Sequence, residues 1–409
     1  MKVAFVTSSF PEASETFIAR QARLLDADIV CRAPNYALRS DYFGKFRIVY
    51  LSEDGSWRRA KERIRRSWAG PVIGCALRRL APLRSAGANA LAADHSSILT
   101  WGEDLERRWE RYLDQRRPDV VLAHWAPNAL CAISACRARG IPLVPHFHGY
   151  DASTLMRDES YRSRLRGLFE QAAAVVCVSS YQSEVLRGAG CPPQKLHVIP
   201  CGAPMREFRL SEAVLRQPCR FIAVSRLVTG KGPLVTLEAF RRVHEQRPSV
   251  RLAFVGGGPL RDAMHRFVLE HHLQDAVSMP GSVPPGEVSG LLADSAVFVQ
   301  ASLTDESGWV EGWGVSLAEG LAAGLPAVVT RSGGMTDLVK DGWNGFLFEE
   351  GDSQGMADGM LRLADDPQLR FDMGMRGRQH VEDAGNTEKN ARRLAAVLRA
   401  ACGRAATLT

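Results

Sequence analysis

The chain has 409 residues, 45% of them hydrophobic and 24% charged. This excludes a disordered or fibrous chain, and the length is too great for one ordinary core, so two domains are expected. The net charge of +7 is uneven: residues 1–204 carry 29 Lys and Arg against 20 Asp and Glu, the rest 23 against 25. An anionic partner is therefore expected on the amino half. The absence of a nucleic-acid motif and of interleaved aromatics sets nucleic acid aside in favour of an anionic membrane surface or a phosphate-bearing acceptor.

The first predicted element is a buried strand at Val3–Val6, whose short apolar run is followed at once by polar residues, unlike a signal peptide. No run of 18 apolar residues occurs, so no membrane span is expected. A helix is predicted over Thr16–Leu25, then strands at Ile29-Val30 and Ile48–Leu51. The Asp26-Ala27-Asp28 triplet between them superficially matches a metal motif but reads as a solvated turn. Trp57–Arg84 stands apart. It sets Arg58, Arg59, Lys61, Arg63, Arg65 and Arg66 beside Trp57, Ile64 and Trp68, the pattern of a basic amphipathic helix at a membrane interface or of a solvated helix. Strands follow at Val120–Ala123 and Leu143-Val144, with a helix over Asn128–Arg139 between them, and another strand at Val175–Val178. His148 and Asp151 sit just past the end of the Ile141–Val144 strand, where a cleft residue belongs.

The alternation breaks near Val198–Gly202 and restarts at Arg220. Strands at Phe221–Val224, Leu252–Val255, Val277–Met279, Val297–Val299 and Ala327–Val329 alternate with helices at Leu234–Val243, Leu260–Leu269, Val315–Ala323 and Gln354–Ala364. Strand–helix alternation predicts parallel α/β sheets. The expected architecture is thus two Rossmann-like, doubly wound domains: residues 1–204 and 205–385, with a C-terminal helix in 386–409 packing back on the first. Ligands of such sheets bind at the carboxyl ends of the strands, so one cleft between the domains is expected to hold the chemistry. The nine cysteines are scattered without a Cys-x-x-Cys pair and read as reduced core residues of a cytosolic protein.

Three blocks of the second half carry the chemical signal. Arg226 ends a strand and Lys231 lies in the glycine loop before Pro233, so the two can clamp a diphosphate. The turn Val255-Gly256-Gly257-Gly258-Pro259-Leu260 brings backbone close to a ligand, although Arg261 stands where a dinucleotide fingerprint needs glycine. Glu311 and Glu319 bracket a helix start near Gly314, whose free amides at Gly314, Val315 and Ser316 form an anion site. Glu311, ahead of the helix, is expected to accept from a sugar's hydroxyls, and Glu319, inside it, from a ribose.

Together these blocks resemble the family-4 retaining glycosyltransferases of the GT-B fold, over nearly the whole chain. The opening Phe10-Pro11-Glu12-Ala13-Ser14-Glu15-Thr16-Phe17-Ile18 resembles the subgroup that builds bacterial exopolysaccharides such as colanic acid and amylovoran. The resemblance implies a nucleoside-diphosphate sugar donor, UDP- or GDP-linked, bound by the second domain. It implies a saccharide or lipid-linked acceptor on the first, with Ser9, Glu15 and Asp151 on the acceptor side. Glu311, His148, Arg226 and Lys231 take the catalytic roles. Glu319, Gly314, Val315, Ser316, Gly257, Pro259 and Val283 bind the donor, the last in a base-binding Gly281-Ser282-Val283 turn. No cofactor and no metal are expected. Two departures stand out: Trp313 replaces a usual Phe, Leu or Ile, and Gly333-Gly334-Met335-Thr336-Asp337 replaces Gly-Gly-x-Pro-Glu, which leaves that loop's role open. A sugar-nucleotide epimerase of the same fold and a non-catalytic membrane-associated partner are the rivals. A phosphorylase would need a pyridoxal-phosphate lysine motif, and a nicotinamide dehydrogenase a complete Gly-x-Gly-x-x-Gly; neither is present.

Overall fold

The computed structural model describes residues 1–10, 16–34, 47–51 and 101–403. The Trp57–Arg84 segment and Glu15 lie outside the described residues. Seven parallel strands form the first sheet: β1 Val3–Phe10, β2 Asp28–Pro34, β3 Ile48–Tyr50, β4 Val120–His124, β5 Leu143–Phe147, β6 Val175–Cys177 and β7 Leu196–Val198. Their spatial order is β3-β2-β1-β4-β5-β6-β7. Six parallel strands form the second: β8 Arg220–Val224, β9 Arg251–Val255, β10 Val277–Gly281, β11 Val297–Gln300, β12 Ala327–Thr330 and β13 Gly345–Phe348. Their order is β10-β9-β8-β11-β12-β13.

Both orders reverse direction once, between β1 and β4 and between β8 and β11. A parallel sheet wound in two directions leaves a crevice at that reversal, beyond the strand ends. The central strands β4, β5, β11 and β12 are buried at every residue, as strands covered by helices on both faces must be. No helix among the described residues is long and apolar enough to cross a membrane. Eight cysteines are described, and all are free.

The chain crosses between the domains twice, side by side. The first crossing follows β7; the second precedes the helix Thr387–Ala401, which packs on the first domain's helix Thr16–Leu24 and on β4 and β5. Ala203 N donates to Gly385 O at 2.7 Å, and Thr387 N to Ala203 O at 3.1 Å. Gly202 has φ +82°, and a Cβ there would stand 2.7 Å from Thr387 Cα, so only glycine lets the crossings touch. Arg370, with no exposed surface, sends its guanidinium to the carbonyls of Val214, Ala364 and Arg216 at 2.7, 3.0 and 2.9 Å, tying the first crossing to the second domain.

Candidate active site

A cleft of about 590 Å³ opens where the strand ends of the two sheets face each other. The first domain lines it with Ser8, Thr16, Phe17, Trp125 and His148; the second contributes Arg226, Lys231, Gly257, Val283, the stretch from Trp309 to Ser316 without Val310, and Glu319. Most of these groups reach the cleft from the loops after strands or from the first turns of the helices that follow them, because the crossover helices then carry the chain away.

Lys231 owes its place to a tight turn. Gly232, at φ +55°, passes so close to Ala301 that a Cβ would stand 1.8 Å from its carbonyl oxygen. Pro233 then starts the next helix with its fixed φ. The ammonium forms an ion pair with Glu311 Oε2 and lies 5.0 Å from the Trp309 ring centre. Glu311 is 6% exposed and also accepts from Gln300 Nε2 at 3.2 Å and Ser302 Oγ at 3.4 Å. A carboxylate this buried persists as a charge only with such partners. Arg226 is exposed on the cleft lining and makes no ion pair among the described residues.

Gly314, at φ +85°, turns the chain into the helix Val315–Ala322, whose first residues, Val315 and Ser316, line the cleft. Glu319, one turn further in, lies 3.6 Å from Arg20 Nη1 of the first domain; Arg20 Nη2 also holds Glu207 Oε2 at 3.0 Å. Burial pushes the Glu319 carboxyl up to about 7 against the pull of Arg20. The altered loop Gly333–Asp337 has structural work. Gly334 N donates to Glu311 O at 3.0 Å, and Asp337 Oδ2 accepts from Ser180 N of the first domain at 2.7 Å.

Asp151 requires a correction. It is fully buried and off the cleft lining, with Oδ1 accepting from the amides of His148 and Gly149 at 3.0 and 2.9 Å and Oδ2 from Ala126 N at 3.0 Å. Both oxygens are taken, so the residue fixes the loops that carry His148 and Trp125 and leaves no oxygen for an acceptor. Pro259, although exposed, is also off the lining; the Gly256-Gly257 backbone approaches the cleft in its stead. The backbone of Ser9 pairs with Ala33 in the ladder, and its neighbour Ser8 lines the cleft. Asp28 begins β2 and pairs with Arg47 at 2.7 Å. Sequence reasoning missed Trp125, Trp309 and Arg20. Trp125 adopts φ +61°, rare for a side-chain-bearing residue. It is held there by its own N–H on His146 O at 2.9 Å, and the next amide is the one held by Asp151. Its position between a strand and a helix start was the only sequence signal.

Comparison with known proteins fits this geometry. The Glycosyltransferase Family 4 model matches residues 94–207 and the Glycosyl transferases group 1 model matches residues 207–380. WcaL of Escherichia coli (strain K12), by name a colanic acid biosynthesis glycosyltransferase, is 32% identical over 69% of this chain and 71% of its own. The chain belongs to the family-4 glycosyltransferases. This family-4 member is also similar to the amylovoran biosynthesis glycosyltransferase AmsK of Erwinia amylovora, at 27% identity over 97% of this chain and 99% of that one. Among solved structures, Anabaena HepE in complex with UDP and glucose shares the fold with a TM-score of 0.73, at 19% identity over 97% of this chain and 99% of that chain. Sucrose-phosphate synthase from Thermosynechococcus elongatus does so at 0.72, with 16% identity and 98% of each chain covered. The two facing Rossmann-like domains are thus a GT-B fold. The family-4 relatives are transferases by name, which leaves the epimerase reading without support.

Proposed function

We propose that this family-4 glycosyltransferase moves a sugar from a UDP- or GDP-sugar to a hydroxyl of a saccharide or lipid-linked acceptor, with retention, in exopolysaccharide biosynthesis. One observation carries the reading: Lys231, Arg226, Glu311 and the Gly314–Ser316 helix start meet His148 of the other domain across one cleft at both sheet reversals. The names of WcaL and AmsK support the pathway class, and the UDP and glucose in the HepE complex support the donor class.

In this reading the diphosphate lies on the amides of Gly314, Val315 and Ser316 with Arg226 and Lys231 against its charge. Glu311 and His148 orient the transferred sugar, and Glu319 holds the ribose. The acceptor oxygen bonds to the anomeric carbon on the face from which the diphosphate departs; the carbon–oxygen bond to the diphosphate breaks, and the acceptor proton passes to a diphosphate oxygen. The chain supplies position and charge stabilisation, and no metal or cofactor enters the step. The basic amino half, with the Trp57–Arg84 segment, suits docking on the anionic cytoplasmic face of the plasma membrane, where a lipid-linked acceptor waits.

A melting-temperature panel of UDP, GDP and their sugars tests the donor. The matching diphosphate at 100 times its Kd should add about 2.7 kcal/mol of stability. If none of them raised Tm, the donor reading would be wrong.

A further inference from the structure

The ends of β4 and β5 set three imidazoles side by side. His124 and His146 are Cα partners across the parallel ladder and have no exposed surface, and His148 follows one residue past β5 at the cleft. The His148 ring centre lies 5.1 Å from that of His124 and 4.1 Å from that of His146. His124 Nδ1 stands 2.9 Å from His148 Nε2. The other nitrogen of His124, Nε2, is buried without a partner, as are both nitrogens of His146, so a proton on His124 Nε2 would add a second orphaned N–H to the one His146 already carries.

Burial holds all three rings in the neutral form. A neutral imidazole has one N–H and one lone pair, so in the 2.9 Å contact one ring donates and the other accepts. If His148 donated, the single proton of His124 would sit on its partnerless buried Nε2. An orphaned buried N–H is costly and rare; a bare lone pair is less so. His124 is therefore the donor, through Nδ1. His148 Nε2 is spent accepting, and the His148 proton sits on Nδ1, the nitrogen 3.8 Å from Cys201 Sγ.

The three rings also lie within metal-ligand reach of one another, with one nitrogen from each inside 4.8 Å. Two nitrogens on one tetrahedral zinc, each at about 2.0–2.1 Å, stand roughly 3.3 Å apart. The 2.9 Å contact is shorter and suits a shared proton better.

We infer that His124 is a positioning residue that holds His148 as its neutral Nδ1–H tautomer, so that His148 meets the donor sugar as a hydrogen-bond donor with no lone pair free to act as a base. The catalytic half of this inference rests on the donor-sugar reading of the cleft; the tautomer does not, so the two can fail separately.

Long-range proton–nitrogen NMR on the full chain with nitrogen-15 histidine, free of ligand, reads the tautomer directly. The signals of His148 are assigned by their loss in His148→Ala. We expect Nδ1 of His148 protonated and Nε2 bare. His124→Phe should release the ring to the other tautomer or a mixture. His124→Asn, whose amide can place an N–H where Nδ1–H stood, should keep the wild-type pattern. In turnover, His124→Phe should lower kcat about tenfold, the scale of losing an outer partner of a functional histidine, with donor KM nearly unchanged and most of the loss rescued in His124→Asn. A protonated Nε2 on wild-type His148, or an unaltered tautomer in His124→Phe, overturns the assignment. Unchanged kcat in a folded His124→Phe overturns the catalytic half. Tight binding of one zinc or cobalt per chain, abolished by His146→Ala, would assign the cluster to a metal and overturn both.

Discussion

Lys231 and Glu311, both largely buried on the cleft lining, pair their charges, and this pairing ties activity to stability. Lys231→Ala should lower kcat about a hundredfold, as for loss of one preorganised charge. It should also lower Tm, because Glu311 is left charged and uncompensated. Adding Glu311→Gln should restore most of the Tm and none of the turnover. A single variant as stable as wild type would show that the pair compensates no buried charge. On the proposed function the two carboxylates divide the work. Glu311, assigned there to the transferred sugar, should act in the transition state, so Glu311→Gln should lower kcat; Glu319→Gln should mainly raise donor KM. Equal losses of kcat in both, with the donor varied, would refute the division. Glu319 also carries a pH signature. Its carboxyl is raised from 4.5 to about 7 in the folded chain, which therefore binds this proton more tightly than the unfolded chain. That contribution to stability is complete below the unfolded value and lost as pH rises toward about 7. Glu319→Gln removes the titration, so the Tm of the variant relative to wild type should climb between about pH 5 and about pH 8. A flat difference would show that Arg20 outweighs burial.

At the scale of elements, the loop Glu311–Gly314 is placed by backbone contacts that side chains would block. A Cβ on Gly312 would stand 2.1 Å from the His148 carbonyl oxygen, and one on Gly333 2.2 Å from Glu311 O. Glycine at 312 lets the second domain's loop lie against the first domain's strand end, and glycine at 333 lets the following loop pack behind it. Gly312→Ala should leave circular dichroism unchanged and lower kcat, because the loop must stand off His148 and a misplacement of about 1 Å costs on the order of a hundredfold. Gly290, in the helix Pro285–Ala293 with nothing within 4 Å of its Cβ position, supplies the control: Gly290→Ala should behave as wild type. Equal kinetics in the two variants would remove the close approach from the mechanism.

Across the whole molecule, the cleft is held closed by a few polar contacts between domains. Asp337 accepts from Ser180 N at 2.7 Å, Arg157 Nη1 donates to Glu306 O at 2.6 Å, and Arg20 bridges Glu319 and Glu207. Within one chain, relative motion of two domains is the default expectation unless a large apolar interface locks them. Asp337→Ala should increase the radius of gyration by small-angle scattering without ligand, and the donor diphosphate should reverse the increase by bridging the domains. An unchanged radius would mean that the apolar packing around Cys201, Ala203 and Trp313 sets the closure by itself.

The sequence determined the alternation of strands and helices, the break near residue 200 and the chemical identity of Glu311, Glu319, Arg226 and Lys231, because these are local signals: periodicity, glycine turns and charged residues at strand ends. It also placed His148 at a strand end. Only the tertiary structure decided what those residues touch. Asp151 looked like a cleft residue by its position, yet three backbone amides consume it. Arg20 and Glu319 lie 299 positions apart, and nothing local announces that they meet. His124 and His148 are separated by a whole helix and become neighbours only because β4 and β5 pair in parallel. Hydrogen bonds between such residues depend on register and on the packing of two domains, which no window of sequence contains.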